Sequence, residues 1–143
     1  GEIAFVFAVA PHHPLAQAPE PLGDAALQQH RAVAVADSVS RGAGLTIGLQ
    51  GGQDVFTVPD MPSKLEAQLR GLGGGFLPET LARPYISSGQ LVAKQVHTPR
   101  SDTCHLAWRD TPQTPAGQAL RWWLGQLERP ATREALLRPV HRV

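Results

Sequence analysis

The sequence predicts an α/β domain with a mixed, mainly parallel β-sheet. Short apolar runs rich in Val, Ile and Phe alternate along the chain with segments in which leucines recur at helical spacing. The 14 glycines and 13 prolines fall between these segments and form no low-complexity tract. Strands that are separated by helices imply parallel pairing within an α/β sheet.

The first third of the chain predicts two strands and a short helix. Residues 3–10 (IAFVFAVA) are apolar throughout, which predicts a strand buried on both faces. Three prolines predict extended backbone over residues 12–22, because proline fixes its own φ and moves its predecessor out of the helical region. A short helix is expected at about residues 23–30, and residues 32–36 (AVAVA) predict a second buried strand. The glycine-rich residues 40–52 predict a long loop or a weakly paired hairpin.

The middle of the chain predicts a strand followed by a helix. Residues 54–58 (DVFTV) form the third strand. Pro62 suits the first turn of a helix, where its missing N–H has no partner to lose, and Asp60 or Ser63 can cap that helix. Gly71 ends it, since glycine tolerates the left-handed conformation that follows a helix. Leucines at helical spacing form its predicted buried stripe: Leu65, Leu69 and Leu72.

The rest of the chain predicts three strands and two helices. In chain order they are residues 75–77, 79–85, 91–96, 104–108 and 114–129, with Pro84 interrupting the first of the two helices. Thr114 is the expected cap of the last helix, and four of its apolar residues are expected to face inward: Leu120, Trp123, Leu124 and Leu127. The tail, residues 130–143, predicts a solvated amphipathic turn or helix.

Two features indicate that these residues are the rear portion of a larger domain. The first strand has no preceding helix or partner strand. The last helix carries the adjacent tryptophans Trp122 and Trp123. Only one face of this helix can be buried within the chain, so the chain by itself cannot cover both rings. Exposing both indole rings would leave an apolar surface patch that promotes association.

Composition excludes several classes of protein. The chain has 13 Lys and Arg residues and 12 Asp and Glu residues, so its net charge is +1. It therefore lacks the basic excess that a nucleic-acid-binding surface needs. The single cysteine, Cys104, cannot form an internal disulfide, which is compatible with a reducing compartment. The longest apolar run, residues 3–11, is far shorter than a membrane-spanning helix and lacks the basic leader of a secretory signal.

No motif for catalysis, a metal or a phosphate is complete. The glycines of residues 71–75 follow a helix and precede a strand, the reverse of a phosphate-binding fingerprint, so helix capping and close helix–strand packing are favoured. The histidines and Cys104 lack the spacing of a metal site, and Ser38 lacks a G-x-S-x-G elbow. The sequence therefore predicts no catalytic residue, no metal and no cofactor.

The turn that begins at Pro59 is a candidate binding surface. It lies where a parallel strand ends and a helix begins, and ligands of open α/β sheets bind outside the carboxyl ends of the strands. Pro59, Asp60 and Met61 are thus candidate pocket walls, and Asp37 and Ser38 occupy the equivalent place after the preceding strand. Helix capping by Asp60 and a plain loop turn at Asp37 are equally compatible with the pattern.

Three motifs together resemble the LysR-type transcriptional regulators. They are HPLA at residues 13–16, VxxxPxMxxKLxxQLxGLGxGFLP at residues 55–78, and LAW at residues 106–108 before an amphipathic helix. Their order and spacing cover about residues 3–127. The resemblance implies a regulator with an N-terminal winged helix-turn-helix, a linker helix, and an effector domain of two lobes like the type 2 periplasmic binding proteins.

The resemblance also implies a division of the chain. Residues 1–18 would hold the crossover strand from lobe I, residues 19–91 lobe II, and residues 92–129 the return crossover with the closing strand and helix of lobe I. Residues 130–143 would form a C-terminal tail. The DNA-binding domain, the linker helix and the front half of lobe I are not in this sequence, so any binding of DNA is expected through an N-terminal domain outside it.

The same resemblance assigns a function without catalysis. It implies a cytoplasmic sensor that binds a small-molecule effector between its lobes, self-associates into dimers or tetramers and contacts no membrane. The expected effector-binding residues are Asp37, Ser38, Pro59, Asp60, Met61 and Phe76. Family members often bind carboxylate-bearing metabolites, which suit a helix N-terminus, whereas Asp60 and Asp37 favour an amine, a hydroxyl, a cation or simple capping.

Two other classes of protein stay open from the sequence. A transport-type solute-binding protein of the same fold would carry a signal peptide upstream and no helix-turn-helix. An enzyme on this fold would need a convergent set of acid, base or nucleophile, and the sequence shows none.

Overall fold

The computed structural model of the chain describes residues 2–36, 49–103, 105–109 and 117–137. It divides into two compact units, one formed by Ala4–Ser101 and the other by Gly1–Ile3 with Asp102–Val143. The described strands are β1 (Glu2–Val9), β2 (Ala32–Val35), β3 (Val55–Val58), β4 (Gly75–Pro78), β5 (Val92–Lys94) and β6 (Arg100–Thr103). The helices are α1 (Asp24–Gln28), α2 (Met61–Leu69), α3 (Glu79–Ser87), α4 (Gln118–Leu127) and α5 (Pro130–Leu137).

The strands of the larger unit pair in both directions, so the β-structure is mixed, as the sequence predicts, while the pairings of β1 with β4 and β5 are antiparallel rather than parallel. β2 and β3 pair in parallel, and β1 pairs antiparallel with both β4 and β5. A parallel bridge between Ala32 and Gly74 joins the two groups of strands. The spatial order is therefore β3-β2-β4-β1-β5, in which β1 alone runs against the others. The carboxyl ends of β2, β3, β4 and β5 consequently lie at one edge of this sheet.

Apolar clusters cover both faces of this sheet. Phe7, Val9 and Phe76 pack with Leu22 and Leu27 on one face. On the opposite face, residues of α2 and α3 pack against the alternate positions of β1 and β4: Ala8, Leu65, Leu77, Ala82 and Leu91. The second half of β1 is buried on both faces, as its continuous apolar run predicts, while Glu2 and Ala4 at its start are exposed.

Several local predictions are wrong for physical reasons. Residues 14–17 form a 3-10 helix rather than extended backbone, because Nδ1 of His13 accepts a hydrogen bond from the N–H of Leu15 at 3.2 Å and caps the turn. Leu72 is 45 % exposed, because α2 ends at Leu69 and the chain turns away at Gly71, whose φ is +73°. α3 continues through Pro84 to Ser87.

The strand predicted at residues 104–108 is also misplaced. The strand is β6 at Arg100–Thr103, and its polar sequence RSDT gave no apolar signal. Residues 105–109 have no regular structure, and Leu106 and Trp108 are exposed. Apolar composition alone thus predicted a strand that the chain does not form.

The smaller unit contains α4 and α5, and its tryptophans are exposed. Trp122 and Trp123 contact each other edge to face at 5.2 Å between ring centroids, and both are more than half exposed. The prediction that Trp123 faces inward is therefore wrong. The other three residues predicted to face inward are half-buried: Leu120, Leu124 and Leu127. Gly117 is the N-cap of α4, and the predicted cap Thr114 lies outside the described residues. Within the described ranges, no helix has the length and apolar character that crossing a bilayer requires.

Candidate functional site

The turn after β3 is built by a capped helix start. Asp60 is the N-cap of α2, and its Oδ1 accepts a hydrogen bond from the backbone N–H of Ser63 at 2.8 Å. Hydrogen bonds from the Ser63 hydroxyl and from the same N–H hold the pKa of the Asp60 carboxyl below its ordinary value. Capping by Asp60, one of the two possibilities left open by the sequence, is thus observed. Contact of Asp60 with an effector stays a prediction.

A cavity of about 100 Å³ lies beside this helix. We call it the β2–β4 cavity, because its wall includes all four residues of β2 together with Gly75 and Phe76 of β4. Other lining residues come from β1 and α2, and the cavity is contained in the larger unit. Those used below are Phe5, Val35, Gln53, Met61, Lys64 and Phe76.

The predicted effector-binding residues divide into three groups. Met61 and Phe76 both line the β2–β4 cavity, so the fold brings these two together. Pro59 and Asp60 are exposed and are not among its described lining residues. Asp37 and Ser38 lie outside the described residues.

The glycines after α2 permit the close approach that shapes this cavity. A Cβ atom on Gly73 would lie 2.6 Å from the carbonyl oxygen of Arg31, so a side chain there would push β2 away. A Cβ atom on Gly75 would lie 2.8 Å from Nε2 of Gln68 and 3.0 Å from the carbonyl oxygen of Val33. Helix capping and close packing, favoured for this glycine row by the sequence, are both confirmed.

Two polar side chains of α2 are buried without partners. Lys64 is 8 % exposed and lines the cavity, and among the described residues its ammonium group has no hydrogen bond or ion pair. Burial lowers the pKa of Lys64 from 10.5 to about 8. Gln68, one turn further along α2, is 0 % exposed, and neither Nε2 nor Oε1 has a hydrogen-bond partner in the described part of the chain. Buried polar groups are normally paired, so the Gln68 amide is exceptional.

The other polar side chain of the cavity is satisfied. Nε2 of Gln53 donates to the carbonyl oxygens of Leu27 at 2.8 Å and His30 at 2.9 Å, and its Oε1 accepts from the N–H of Gln50 at 3.1 Å. Gln53 therefore ties the segment before β3 to the end of α1. Among the described lining residues, Lys64 is the side chain whose polar group has no described partner, and Gln68 is not a lining residue.

Sequence reasoning missed Lys64 and Gln68. It placed the buried stripe of α2 on its leucines, whereas the buried positions are Lys64, Leu65, Ala67 and Gln68. The available signal was their i, i+4 spacing beside Leu65, which puts them on one side of the helix. The sequence alone predicts the opposite burial, because Lys and Gln are usually exposed.

Phe76 also borders a second, more polar cavity of about 230 Å³. Asp24, Gln50, His97 and Arg100 line it together with Phe76. The ring of Phe76 packs edge to face on Phe7 with centroids 5.4 Å apart, and the guanidinium carbon of Arg100 lies 6.0 Å from its centroid. Phe76 thus lines both cavities, as Leu27 and Leu49 do. In the described ranges, no group of three or more His, Cys, Asp or Glu side chains is placed to hold a metal ion.

Comparison with known proteins gives consistent matches. The family model described as LysR substrate binding domain matches residues 1–129. An uncharacterized HTH-type transcriptional regulator, YeeY of Escherichia coli (strain K12), is 39 % identical over 127 residues, which are 89 % of this chain and 40 % of that protein. The HTH-type transcriptional activator AllS of Klebsiella pneumoniae is 42 % identical over 93 residues, 65 % of this chain and 34 % of that protein.

A solved structure shares the fold. The C-terminal domains of a LysR family protein from Agrobacterium tumefaciens str. C58 superpose with a TM-score of 0.50 at 19 % identity, covering 71 % of this chain and 50 % of that one. This likeness concerns the fold alone. The chain spans less than half the length of the two curated relatives described above.

Proposed function

Since this chain belongs to the LysR substrate-binding domain family, we propose that it is the effector-sensing part of a LysR-type transcriptional regulator. The observation that carries the proposal is the family match over residues 1–129. The relatives are named as HTH-type regulators, which supports a role in transcription rather than in solute transport or catalysis. The role is that of a cytoplasmic sensor without enzymatic activity.

The effector binds at the carboxyl ends of the parallel strands. The predicted contacts are Asp37, Ser38, Pro59, Asp60, Met61 and Phe76. Support comes from Met61 and Phe76, which line one cavity, and from the topology, which gathers the carboxyl ends of β2, β3 and β4 at one edge. A small carboxylate is the favoured effector, because Lys64, which has no partner among the described residues, lines this cavity together with Met61.

The regulatory mechanism follows from the bilobed architecture of the family. Residues 19–91 form lobe II, and residues 1–18 and 92–129 supply the crossovers and the closing part of lobe I. A ligand shifts a regulator only by binding one arrangement of the lobes better than another. The shift changes contacts between subunits of a dimer or tetramer, and so the spacing of the DNA-binding heads on an N-terminal domain.

Ligand screening on the full-length regulator tests this function. Thermal unfolding is recorded with a library of small metabolites, and DNA binding is measured with each compound that raises Tm. The expected result is at least one compound that raises Tm and changes the affinity for operator DNA. A library that leaves both quantities unchanged contradicts an effector-sensing role.

A further inference from the structure

We propose that Lys64 is a covalent modification site, at which the side-chain amine captures a small aldehyde in the β2–β4 cavity as an imine. The inference goes beyond the proposed function, because it concerns the reactivity of one amine and does not require that the aldehyde regulates transcription. The class of compound that it names is the neutral, short-chain aldehydes.

The first argument is the surroundings of the Lys64 side chain. Lys64 is 8 % exposed and lines the cavity, whose wall also includes the apolar side chains of Phe5, Val35 and Met61. In the described part of the chain, no hydrogen bond or ion pair engages its nitrogen. A lysine that is desolvated among apolar groups is an activated nucleophile, because the loss of hydration disfavours the ammonium form.

The second argument is the protonation state of this amine. Burial lowers the pKa of Lys64 from 10.5 to about 8. At pH 7 about a tenth of the amine is then neutral, which is about 300-fold more than a lysine with the ordinary value would have. Only the neutral amine carries the lone pair that attacks a carbonyl carbon. The cavity therefore contains a reactive amine at neutral pH.

Lys94, the other lysine of the sequence, provides the comparison. Its Nζ already donates to two backbone carbonyl oxygens and lies 3.2 Å from Oε1 of Glu20. These contacts would have to break before the nitrogen could attack a carbonyl carbon. The structure therefore favours reaction at Lys64 over reaction at Lys94.

The reaction needs no partner beyond the aldehyde. The nitrogen of the neutral amine attacks the carbonyl carbon, so that a C–N bond forms, the C=O π bond breaks and a proton passes from nitrogen to oxygen. The resulting carbinolamine loses its hydroxyl group and the remaining N–H proton as water, and a C=N double bond forms. Amine and aldehyde thus give an imine and water, with no oxidation or reduction.

Charge favours an aldehyde over carbon dioxide, another small electrophile that adds to lysine amines. Carbon dioxide would convert Lys64 into a carbamate anion, yet among the described lining residues Lys64 is itself the one charged side chain. The Gln53 amide is not free to bind the anion, because its Nε2 donates to the carbonyl oxygens of Leu27 and His30. A carbamate would be an unpaired buried anion, which is expensive, whereas the unprotonated imine carries no charge.

Volume limits the length of the aldehyde. A buried apolar cavity of about 150 Å³ holds benzene, which has six non-hydrogen atoms. In the same proportion, the β2–β4 cavity of about 100 Å³ holds about four. Acetaldehyde and propionaldehyde fit within this limit, whereas benzaldehyde, which is larger than benzene, does not.

The primary test traps the imine in the full-length wild-type protein. The protein is treated at pH 7 with each of these three aldehydes and sodium cyanoborohydride, which reduces an imine to a stable secondary amine. Peptide mass spectrometry then gives the rate of alkylation at each lysine. With the two short aldehydes, Lys64 should be alkylated at least about 10-fold faster than Lys94, and benzaldehyde should leave Lys64 unmodified. In urea the two lysines should react at similar rates with all three aldehydes, which controls for the reactivity of the unfolded chain and of each reagent.

A second measurement detects the imine itself, without reductant. Propionaldehyde that is isotope-labelled at its carbonyl carbon is added to the full-length protein, and NMR should show an imine carbon that is absent from Lys64→Met and Lys64→Arg. The arginine variant keeps a cation at this position but forms no such imine. Arg70→Met is the matched control, because it removes an exposed cation from the end of the same helix, and it should keep the signal.

The remaining outcomes decide the inference separately from the proposed function. Equal alkylation of Lys64 and Lys94 in the folded protein overturns the site, and so does reaction of Lys64 with benzaldehyde as fast as in urea. An NMR spectrum without an imine carbon that depends on Lys64 also overturns it. Each of these results concerns one amine and leaves the sensing function standing, which is contradicted instead when no metabolite changes Tm and the affinity for DNA.

Discussion

Lys64 and Lys94 differ in their partners, because in the described structure Lys94 alone has partners for its ammonium group. Lys64 is buried, whereas Lys94 is half-buried as a residue with its side chain 8 % exposed. Nζ of Lys94 donates to the carbonyl oxygens of Ala18 at 2.8 Å and Ala16 at 3.3 Å and lies 3.2 Å from Oε1 of Glu20. These are the two lysines of the whole sequence. Lys94 therefore stabilises the fold through these contacts, whereas Lys64 has no such partner among the described residues.

Replacing Lys64 by Met should stabilise the ligand-free protein. The pKa of Lys64 falls from 10.5 to about 8 on folding, and at about 1.4 kcal/mol per unit the upper limit of the gain is about 3 kcal/mol. The folded state disfavours the protonated amine, so wild-type stability is lowest below pH 8 and rises as pH increases from about 8 towards 10.5. The advantage of Lys64→Met, measured by urea unfolding, should narrow over that range. A variant less stable than the wild type at pH 7 would show that Lys64 is paired in solution.

Replacing Lys94 by Met should have the opposite effect. The substitution leaves the carbonyl oxygens of Ala16 and Ala18 without this donor, which costs about 1–3 kcal/mol, while Oε1 of Glu20 still accepts from the N–H of Gln95. Urea unfolding of Lys94→Met beside Lys64→Met compares the loss of a paired lysine with the loss of a lysine that has no described partner. Equal effects of the two substitutions would mean that burial, rather than pairing, decides the stability.

Replacing Gly75 by Ala should destabilise the larger unit. The new Cβ would lie 2.8 Å from Nε2 of Gln68 and 3.0 Å from a backbone oxygen that cannot move alone. Overpacking of this kind typically costs about 1–3 kcal/mol. Gly51→Ala is the control, because nothing lies within 4 Å of its Cβ position. The check is the Tm of each variant, and a Gly75→Ala protein as stable as Gly51→Ala contradicts the close packing over β4.

His13 should make the stability depend on pH near neutrality. Burial, followed by the charges of His30 and His12, lowers the pKa of His13 below 6.5. Its Nδ1 accepts from Leu15, and a protonated ring could not do so. A lowered folded-state pKa means that stability is complete above pH 6.5 and is lost as pH falls below it. His13→Asn, which keeps a capping acceptor without titrating, should lose less stability between pH 8 and pH 5 in urea unfolding. Identical pH profiles for the two proteins would contradict this role.

Asp60 offers a way to separate capping from effector contact. Asp60→Ala should lower Tm by a few degrees, because the N–H of Ser63 loses its acceptor. Asp60→Ser keeps a capping oxygen and should preserve Tm. If Asp60→Ser nevertheless loses the response to an effector, the carboxylate contacts the ligand as predicted. An unchanged response assigns Asp60 to capping alone.

The order of the elements was largely readable from the sequence, because it depends on local patterns. The apolar run of β1, the AVAV of β2 and the proline and aspartate at the start of α2 each specify their element within a few residues. Where the local pattern was ambiguous, the prediction failed. The exposed Leu106 and Trp108 imitate a strand, while the polar β6 gives no such signal.

The sequence by itself determined the family and the α/β class, since motif spacing and hydrophobic period are local properties, and it left capping by Asp60 as one of two possibilities that the structure decided. Tertiary structure alone decided that Lys64 and Gln68 are buried over Gly75 and that Met61 and Phe76 share one cavity. The reason is that burial is a property of what packs against a residue: lysine and glutamine on a helix ordinarily face water, and here a glycine in the strand that follows the helix gives them room inside.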